Sequence, residues 1–152
     1  MSKIYWAAPL HDASDRQRND KYVALLRRDG HQVYVPHEHG VWEEVMDKFG
    51  GDATKTRMHF YELDLKAIRE ADICVACAGD RDHPRGPSEG MIWEMGYMSG
   101  CNKTVLLFND QGYWDYNLMP EFGSKMFDDF DKVLEYLMDS LHPTHRGTPA
   151  GR

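Results

Sequence analysis

The sequence predicts a single α/β domain of the flavodoxin-like or Rossmann-like kind, with an open parallel sheet of about five strands and helices on both faces. Short apolar runs alternate with helical patterns along the chain, which is the order expected of β-α units. The runs are apolar throughout, as is typical of strands covered on both faces. With 152 residues, the chain has the length of one domain with a substantial core. We expect this domain to span residues 1–141 and residues 142–152 to form a disordered tail.

Five apolar runs are the predicted strands, and they lie at residues 3–8, 32–35, 73–78, 104–108 and 125–127. Pro9 and Pro36 end the first two runs, since proline cannot donate a hydrogen bond to a sheet. Each run has the length of an ordinary strand and is bounded by polar or helix-breaking residues.

Helical patterns fill the intervals between these runs. The polar segment 10–18 is expected to be a loop that leads into a first helix, with Asp12 or Ser14 as the N-cap and Gly30 as the stop. Further helices are predicted at about 56–71, 88–100 and 130–141. The pattern is weak over 37–55, where we expect a loop with at most one short helix, and 109–123 is expected to be a loop.

Composition argues against several classes of function. The formal net charge of −7 gives no basic surface, so binding to a nucleic-acid polymer is not expected. No apolar run reaches the roughly 18–20 residues that a membrane span requires, and the strand-like start leaves no room for a signal peptide. Three cysteines, an odd number, argue against a disulfide framework. We therefore expect a cytoplasmic protein.

The helix predicted at 88–100 carries the residue to which we assign the chemistry, Glu94. A charge in apolar surroundings is costly unless it is paired or used. In open parallel sheets, ligands bind beyond the carboxyl ends of the strands, where the strand order reverses. If the first and third strands are neighbours, segments 8–18 and 79–88 share that crevice, and Glu94 follows directly after it. The apolar neighbours of this lone carboxylate are Met91, Ile92, Trp93, Met95 and Tyr97.

A desolvated carboxylate beside a crevice is suited to cleaving a glycosidic bond. Such bonds break through an oxocarbenium-like transition state, which enzymes stabilise with one carboxylate at the anomeric carbon and a second group that handles the leaving-group proton. Tyr5 or Tyr97 can place a phenol next to Glu94. The alternative is that Glu94 is a solvated or salt-bridged residue of an amphipathic helix.

Several short motifs, in their order and spacing, resemble the nucleoside 2-deoxyribosyltransferase family. The resemblance covers about residues 3–119. It rests on Tyr5 in the first strand, Ala8-Pro9, Asp64-Leu-Lys-Ala-Ile68, Asp72, Gly90-Met-Ile-Trp-Glu-Met-Gly-Tyr97, Lys103-Thr-Val-Leu-Leu107 and Asn117-Leu-Met119.

The resemblance implies a role for each matching residue. Glu94 matches the nucleophile that forms a glycosyl ester, Tyr5 the tyrosine that orients this carboxylate, and Asp64 the acid that contacts the base and assists its protonation. Asn117 matches a residue that completes a neighbouring subunit's site at the sugar's 5′ end, which implies a homodimer or a larger homo-oligomer. No metal or organic cofactor is implied. The residues expected to bind substrate are Ser88, Gly90, Asn117, Pro9, Arg16, Arg18, Trp93 and Met119.

One position departs from the transferase pattern. Six residues before the nucleophile, where the family usually has an aspartate that helps to bind the 5′-hydroxyl, this chain has Ser88. The serine is similar to one in the related nucleoside 5′-monophosphate N-glycosidases, where it contacts the phosphate. An aspartate some 4 Å from a phosphate would repel it by about 1–4 kcal/mol, whereas a hydroxyl at a helix N-terminus favours an anion. Arg16, Arg18 and Arg85, expected on loops of the crevice, can add charge-assisted contacts. The motif that begins at Asn117 favours the transferase branch instead.

Two further residue pairs resemble metal or redox motifs only superficially. Cys74 and Cys77 have C-x-x-C spacing, but residues three apart in a strand face opposite sides. His37 and His39 flank a glutamate but lack a second ligand cluster with suitable spacing. We therefore predict no metal site and no disulfide.

The sequence thus predicts an enzyme that cleaves the N-glycosidic bond of a nucleoside or deoxynucleoside through a covalent glycosyl-Glu94 intermediate. Capture of the sugar by a second base gives deoxyribosyl transfer, a reaction of nucleotide salvage, and capture by water gives hydrolysis. The expected partners are a nucleoside or nucleoside monophosphate and a free nucleobase. Two alternatives stay open: a (deoxy)nucleoside 5′-monophosphate N-glycosidase and, in another class, a non-catalytic nucleotide-binding module.

Overall fold

Five strands form one parallel sheet in a computed structural model that describes residues 1–10, 12–78, 88–109 and 118–141. The strands are β1 (Lys3–Ala7), β2 (Gln32–Tyr34), β3 (Ile73–Cys77), β4 (Thr104–Phe108) and β5 (Lys125–Phe127). Their order in the sheet is β2-β1-β3-β4-β5, and every pairing is parallel. The predicted contact between the first and third strands is confirmed. The order reverses at β1, because the chain passes from β1 to β2 on one side and then crosses to β3 on the other.

Helices cover both faces of this sheet, which confirms the predicted fold class. In the part of the chain that the structure describes, they are α1 (Ala13–Arg28), α2 (Trp42–Lys48), α3 (Ala53–Glu70), α4 (Glu89–Gly100), α5 (Leu118–Gly123) and α6 (Phe130–Leu141), together with a short 3-10 turn (Pro36–Glu38). None of these described helices is both long and apolar enough to span a lipid bilayer.

Alternate residues of the strands supply two separate hydrophobic cores. Trp6 and Phe108 point to the face covered by α1 and α6, where Leu26 and Val133 belong to the same core. Tyr5 points to the opposite face, which α3 and α4 cover. Successive side chains of a strand point to opposite faces, so a strand covered by helices on both sides buries all of them. This double burial explains why β1, β3 and β4 are almost continuously apolar in the sequence.

The two strand cysteines lie in different cores. Cys74 belongs to the core beneath α3 and α4, and Cys77 belongs to the core beneath α1 and α6. Both are buried cysteines, and Cys101 is an exposed one. The side chains of Cys74 and Cys77 therefore face opposite sides of the sheet, as their spacing predicts.

The first helix begins at the earlier of the two predicted N-caps, and it therefore includes two arginines that were expected on a loop. Asp12, and not Ser14, is the N-cap, and its carboxylate accepts the backbone N–H of Ser14 at 2.9 Å. Because this cap starts α1 directly after Asp12, Arg16 and Arg18 lie on the first turns of a helix. The expectation that they lie on a loop is wrong.

Two other boundaries also differ from expectation. Helix α3 begins at Ala53 instead of about residue 56, because Asp52 caps it by accepting the backbone N–H of Thr54 at 3.0 Å. Part of the segment expected to be a loop, 118–123, forms helix α5, and the Ser124 hydroxyl closes its end by donating to the Pro120 carbonyl at 2.6 Å. A helix of this length is too short to show a periodic apolar pattern.

Lys103 ties the end of α3 to the start of β4. Its ammonium donates to the carbonyl oxygens of Ile68 at 2.8 Å, Arg69 at 2.6 Å and Ala71 at 2.7 Å. The last carbonyls of a helix have no partner within the helix, and a cation there also complements the helix dipole. This contact fixes the position of α3, the helix that carries Asp64, against the sheet.

Candidate active site

A hydrogen bond joins Tyr5 of β1 to Glu94 of α4. Tyr5 is fully buried and Glu94 is half-buried. The phenol Oη of Tyr5 donates to Oε1 of Glu94 at 2.7 Å. The carboxylate is therefore oriented by a donor that is itself fixed in the centre of the sheet.

This environment changes the acidity of Glu94. Burial raises the pKa of its carboxyl group to about 7, the hydrogen bond from Tyr5 opposes the rise, and the negative charge of Asp64 adds to it. Burial and the nearby Glu94 charge raise the pKa of Tyr5 above its ordinary value, so the phenol stays protonated and remains a donor at neutral pH. A carboxyl group with a pKa near neutrality is typical of functional sites.

A second phenol–carboxyl pair lies beside the first. Oη of Tyr34, in β2, donates to Oδ1 of Asp64, in α3, at 2.9 Å. Burial raises the pKa of the half-buried Asp64, while the hydrogen bond from Tyr34 and the nearby imidazole of His39 oppose that rise. The site thus holds two carboxyl groups, and each accepts a hydrogen bond from a different tyrosine.

Both carboxyl groups line one cavity of about 340 Å³ between α3 and α4. Its volume lies within the roughly 300–1,000 Å³ that is typical of small-molecule sites. The rings of Tyr61 and Trp93 form an aromatic wall, with centroids 6.3 Å apart and planes at 60°. An aromatic wall beside two polar groups suits a ligand with a flat ring. The residues that line the cavity are Tyr61, Asp64, Leu65, Ile68, Gly90, Trp93 and Glu94.

Ser88 stands at the N-terminus of α4, two turns before Glu94. Its Oγ accepts the backbone N–H of Met91 at 3.2 Å, which makes it the N-cap of the helix. A serine hydroxyl that accepts one hydrogen bond can still donate another. Ser88 therefore combines a structural capping role with a donor that a ligand can use.

Three other predicted substrate-binding residues do not line this cavity: Pro9, which follows β1, and Arg16 and Arg18, which lie on α1. Arg16 is exposed, and Arg18 forms an ion pair with Asp15 at 3.0 Å. Pro9 is buried, and its carbonyl accepts a hydrogen bond from Nδ2 of Asn19 at 3.0 Å. Their roles in substrate binding stay predictions.

Met119 lies at a different place from the two carboxyl groups. It is 71% exposed and lines a second cavity, of about 360 Å³, between α4 and α5. Asn117, Arg85 and the expected tail at 142–152 lie outside the described residues.

The two histidines around Glu38 have separate partners. Nε2 of His37 is 3.4 Å from Oδ1 of Asp20. The ring of His39 stacks on Tyr34, with centroids 4.0 Å apart and planes at 2°. Across the described ranges of the chain, no three His, Cys, Asp or Glu side chains are close enough together to hold a metal ion.

Tyr34 is the site residue that the sequence reasoning missed. It pairs in register with Tyr5 on the neighbouring strand. Both tyrosines are the third residue of their strands, and this shared position in the two predicted strands is the signal that could have identified Tyr34. That signal could be used only once the two strands were taken as parallel neighbours in this register.

Fold and cavity together define a class of protein. It is an open parallel α/β protein with a small-molecule cavity beside the point of strand-order reversal, and two carboxyl groups line that cavity. The model of the nucleoside 2-deoxyribosyltransferase family matches residues 4–137, and the chain belongs to this family. The family membership that the motifs predicted is confirmed.

Solved structures share this fold. A 2-deoxyribosyltransferase from Bacillus psychrosaccharolyticus is 28% identical, with a TM-score of 0.74 over 92% of this chain and 96% of that chain. A CMP N-glycosidase from Clostridium botulinum is 18% identical, with a TM-score of 0.54 over 89% of this chain and 97% of that chain, and this likeness concerns the fold alone. Family and fold together support an enzyme of the deoxyribosyltransferase kind.

A further relative is known from its sequence. An uncharacterised protein of Ureaplasma parvum serovar 3 is 30% identical over 105 residues, which are 68% of this chain. The match spans 63% of that protein, less than two thirds of its length.

Proposed function

We propose that this protein is a nucleoside 2-deoxyribosyltransferase that moves a deoxyribosyl group from one base to another through an ester on Glu94. The observation that carries the proposal is the hydrogen bond of 2.7 Å from the buried Tyr5 to Glu94. It holds a carboxylate of raised pKa in a cavity that also contains a second carboxyl group.

In the first half-reaction, Glu94 attacks the anomeric carbon of the sugar. Tyr5 already donates to Oε1, so Oε2 is the oxygen that forms the new C–O bond. The bond between the anomeric carbon and the base nitrogen breaks, and its electron pair goes to the base. The proton of Asp64 moves to the base, which leaves as a neutral molecule. Positive charge on the oxocarbenium-like transition state is stabilised by the carboxylate beside it.

In the second half-reaction, a nitrogen of the acceptor base attacks the same carbon. The ester C–O bond breaks, and its electron pair returns to Glu94. The proton that the acceptor nitrogen loses goes to Asp64, which restores the starting state. If water attacks instead, its oxygen bonds to the anomeric carbon, its proton goes to Asp64, and the result is hydrolysis.

The proton that the leaving base receives is shared by the two carboxyl groups. The reactive form has Glu94 ionised and Asp64 protonated, so the pair carries one proton. Burial raises the pKa of both groups, that of Glu94 to about 7, and the reactive form arises when the shared proton lies on Asp64 and not on Glu94.

A slow substrate tests the covalent step. Fluorine at C2′ of an arabino-configured nucleoside destabilises the oxocarbenium-like transition state and slows both half-reactions, so that the ester accumulates. We expect mass spectrometry of the digested protein to find the fluorosugar on the peptide that contains Glu94. Glu94→Gln, which keeps an oxygen to accept from Tyr5, should give no adduct and lose turnover by several orders of magnitude. Turnover that survives this substitution would overturn the proposal, and ligand binding by a wild type without turnover would indicate a binding module.

Ser88 supports a second candidate function, N-glycosidase activity on a (deoxy)nucleoside 5′-monophosphate. It places an uncharged donor at the N-terminus of α4, where a helix favours an anion. Ser88→Asp and Ser88→Asn make a matched pair, because both residues are good N-caps of similar size and only one is charged. If the 5′-phosphate lies at Ser88, Ser88→Asp should lower kcat/KM for the monophosphate by about 5-fold or more relative to Ser88→Asn, from a repulsion of about 1–4 kcal/mol. Equal kcat/KM in the two variants would exclude a phosphate at this position, and base exchange on an unphosphorylated substrate would favour the transferase.

The proposed assembly is a homo-oligomer in which Asn117 completes a neighbour's site. Apolar side chains of α5, directly after Asn117 in the sequence, support an interface, since Leu118, Met119 and Phe122 are 61%, 71% and 83% exposed. Mixing Glu94→Ala protein with Asn117→Ala protein tests this. Restored activity in the mixture is expected if each site uses both chains, and additive residual activities would contradict it.

A further inference from the structure

Two tyrosines stand side by side on the face of the sheet that carries the cavity. Tyr5 and Tyr34 are register partners of the parallel pair β1 and β2. Their rings stack with centroids 5.6 Å apart and planes at 15°, slightly more than the spacing of about 4.8 Å between neighbouring strands. The sheet therefore sets the distance between the two phenol rings.

The two phenols of this pair donate hydrogen bonds to carboxyl groups on two different helices. Oη of Tyr5 donates to Glu94 at 2.7 Å, and Oη of Tyr34 donates to Asp64 at 2.9 Å. His39 packs on the other side of Tyr34 at 4.0 Å, with nearly parallel rings. Tyr34 is thus held between two rings, and its hydroxyl cannot turn away from Asp64 without breaking both stacks.

The hydrogen bond from Tyr34 also distinguishes the two oxygens of Asp64. Because the phenol donates to Oδ1, a proton carried by the carboxyl group lies on Oδ2. A carboxyl group with one oxygen fixed has a single direction in which it can deliver its proton. In a general acid, this geometry decides whether the proton reaches the departing base.

We propose that Tyr34 is a positioning residue for protonation of the leaving base, and that the tyrosine pair of β1 and β2 sets the spacing between nucleophile and acid. This inference rests on the proposed function and extends it to a residue outside the family motifs on which the resemblance rests. Tyr34 acts through Asp64 and does not touch the reacting atoms. Tyr5 acts in the same way through Glu94, so one tyrosine positions the acid and the other positions the nucleophile.

The dependence of rate on the leaving group separates these tasks. The probes are 2′-deoxyuridines with hydrogen, fluorine or a nitro group at C5, whose bases leave progressively more easily without a proton. If uracil is not turned over, the probes are purine deoxynucleosides with substituents of increasing electron withdrawal at C6. The measurement is kcat/KM for each probe with wild type, Tyr34→Phe and Tyr5→Phe. Phenylalanine keeps the ring stack and removes only the hydroxyl.

We expect Tyr34→Phe to slow the poorest leaving group by about 10- to 100-fold, the range for losing a hydrogen bond to an ionisable group. The best leaving group should slow by less than about 3-fold, since it needs little protonation. Tyr5→Phe should slow all probes by a similar factor, because every probe needs the nucleophile. Tyr136→Phe, in α6 on the opposite side of the sheet, is the control for loss of a tyrosine hydroxyl elsewhere.

Parallel losses for all probes in Tyr34→Phe would overturn the inference, because a merely structural role slows every substrate alike. Unchanged rates in Tyr34→Phe would overturn it as well. Either result, obtained together with a fluorosugar adduct on Glu94, leaves the proposed function standing. If the wild type forms no adduct and turns over no probe, the proposed function itself fails and the inference fails with it.

Discussion

Glu94→Gln should make the protein more stable at alkaline pH, and this prediction follows from the pKa of a single carboxyl group. Burial raises that pKa from the ordinary 4.5 to about 7. In the unfolded chain the group loses its proton near 4.5, while in the folded chain it keeps the proton up to about 7. Between these values the unfolded state binds fewer protons, so the free energy of unfolding falls as pH rises. The destabilisation is complete above pH 7 and absent below 4.5.

The magnitude follows from the same two values. The pKa rises from 4.5 to about 7, and each pKa unit corresponds to 1.36 kcal/mol, which gives about 3 kcal/mol as an upper value. Because Glu94 is half-buried, we expect about 2–3 kcal/mol. Glutamine removes the charge, keeps the shape and retains a carbonyl oxygen for Tyr5. Loss of activity should therefore be accompanied by a gain in stability.

Urea unfolding at pH values from about 4.5 to about 8 measures this difference. The free energy of unfolding of Glu94→Gln minus that of the wild type should grow by about 1 kcal/mol per pH unit and become constant above about pH 7. Glu62→Gln, at an exposed position of α3, is the matched control and should show no such growth. A difference that is the same at all pH values would refute the reasoning, since the effect would then not come from ionisation of Glu94.

Three further substitutions test other contacts. Tyr5→Phe removes the hydrogen bond that opposes the raised pKa of Glu94, so the acidic limb of the kcat/KM profile should move up by about one pH unit or more, as pH-rate measurements will show. Lys103→Met leaves three carbonyl oxygens at the end of α3 without their donor, and urea unfolding should show a loss of about 1–3 kcal/mol. Gly40→Ala introduces a Cβ only 3.0 Å from the ring of Phe60 at a backbone φ of +148°, which should lower the free energy of unfolding by about 1–2 kcal/mol and Tm by several degrees in a thermal melt.

The sequence predicts the sheet well because burial on both faces leaves a strong signal. The fourth and fifth strands and the last helix have the predicted bounds. The sequence included Asp12 among its two candidate N-caps of the first helix, but it missed the start of α3, which Asp52 decides by capping. The sequence also selected Tyr5, Asp64 and Glu94, which the structure brings to one cavity or into contact with its lining. It could not give the direction of side chains on α1, because that depends on where the helix begins.

The role assigned to Tyr34 shows why the rest of the site needs the structure. A side chain in a strand changes faces when the register shifts by one residue, so Tyr34 reaches Asp64 only in the register that pairs it with Tyr5. That register is fixed by a strand of three residues and by the core around it. The positions of the tyrosines and of Asp64 therefore depend on tertiary contacts. The sheet sets the spacing of the two phenols, and the hydrogen bonds of Lys103 fix the helix that presents Asp64 to Tyr34. The half-buried carboxyl group of Glu94 lowers the free energy of unfolding at neutral pH. The packing of the doubly buried strands compensates for this loss and keeps the carboxyl group in place.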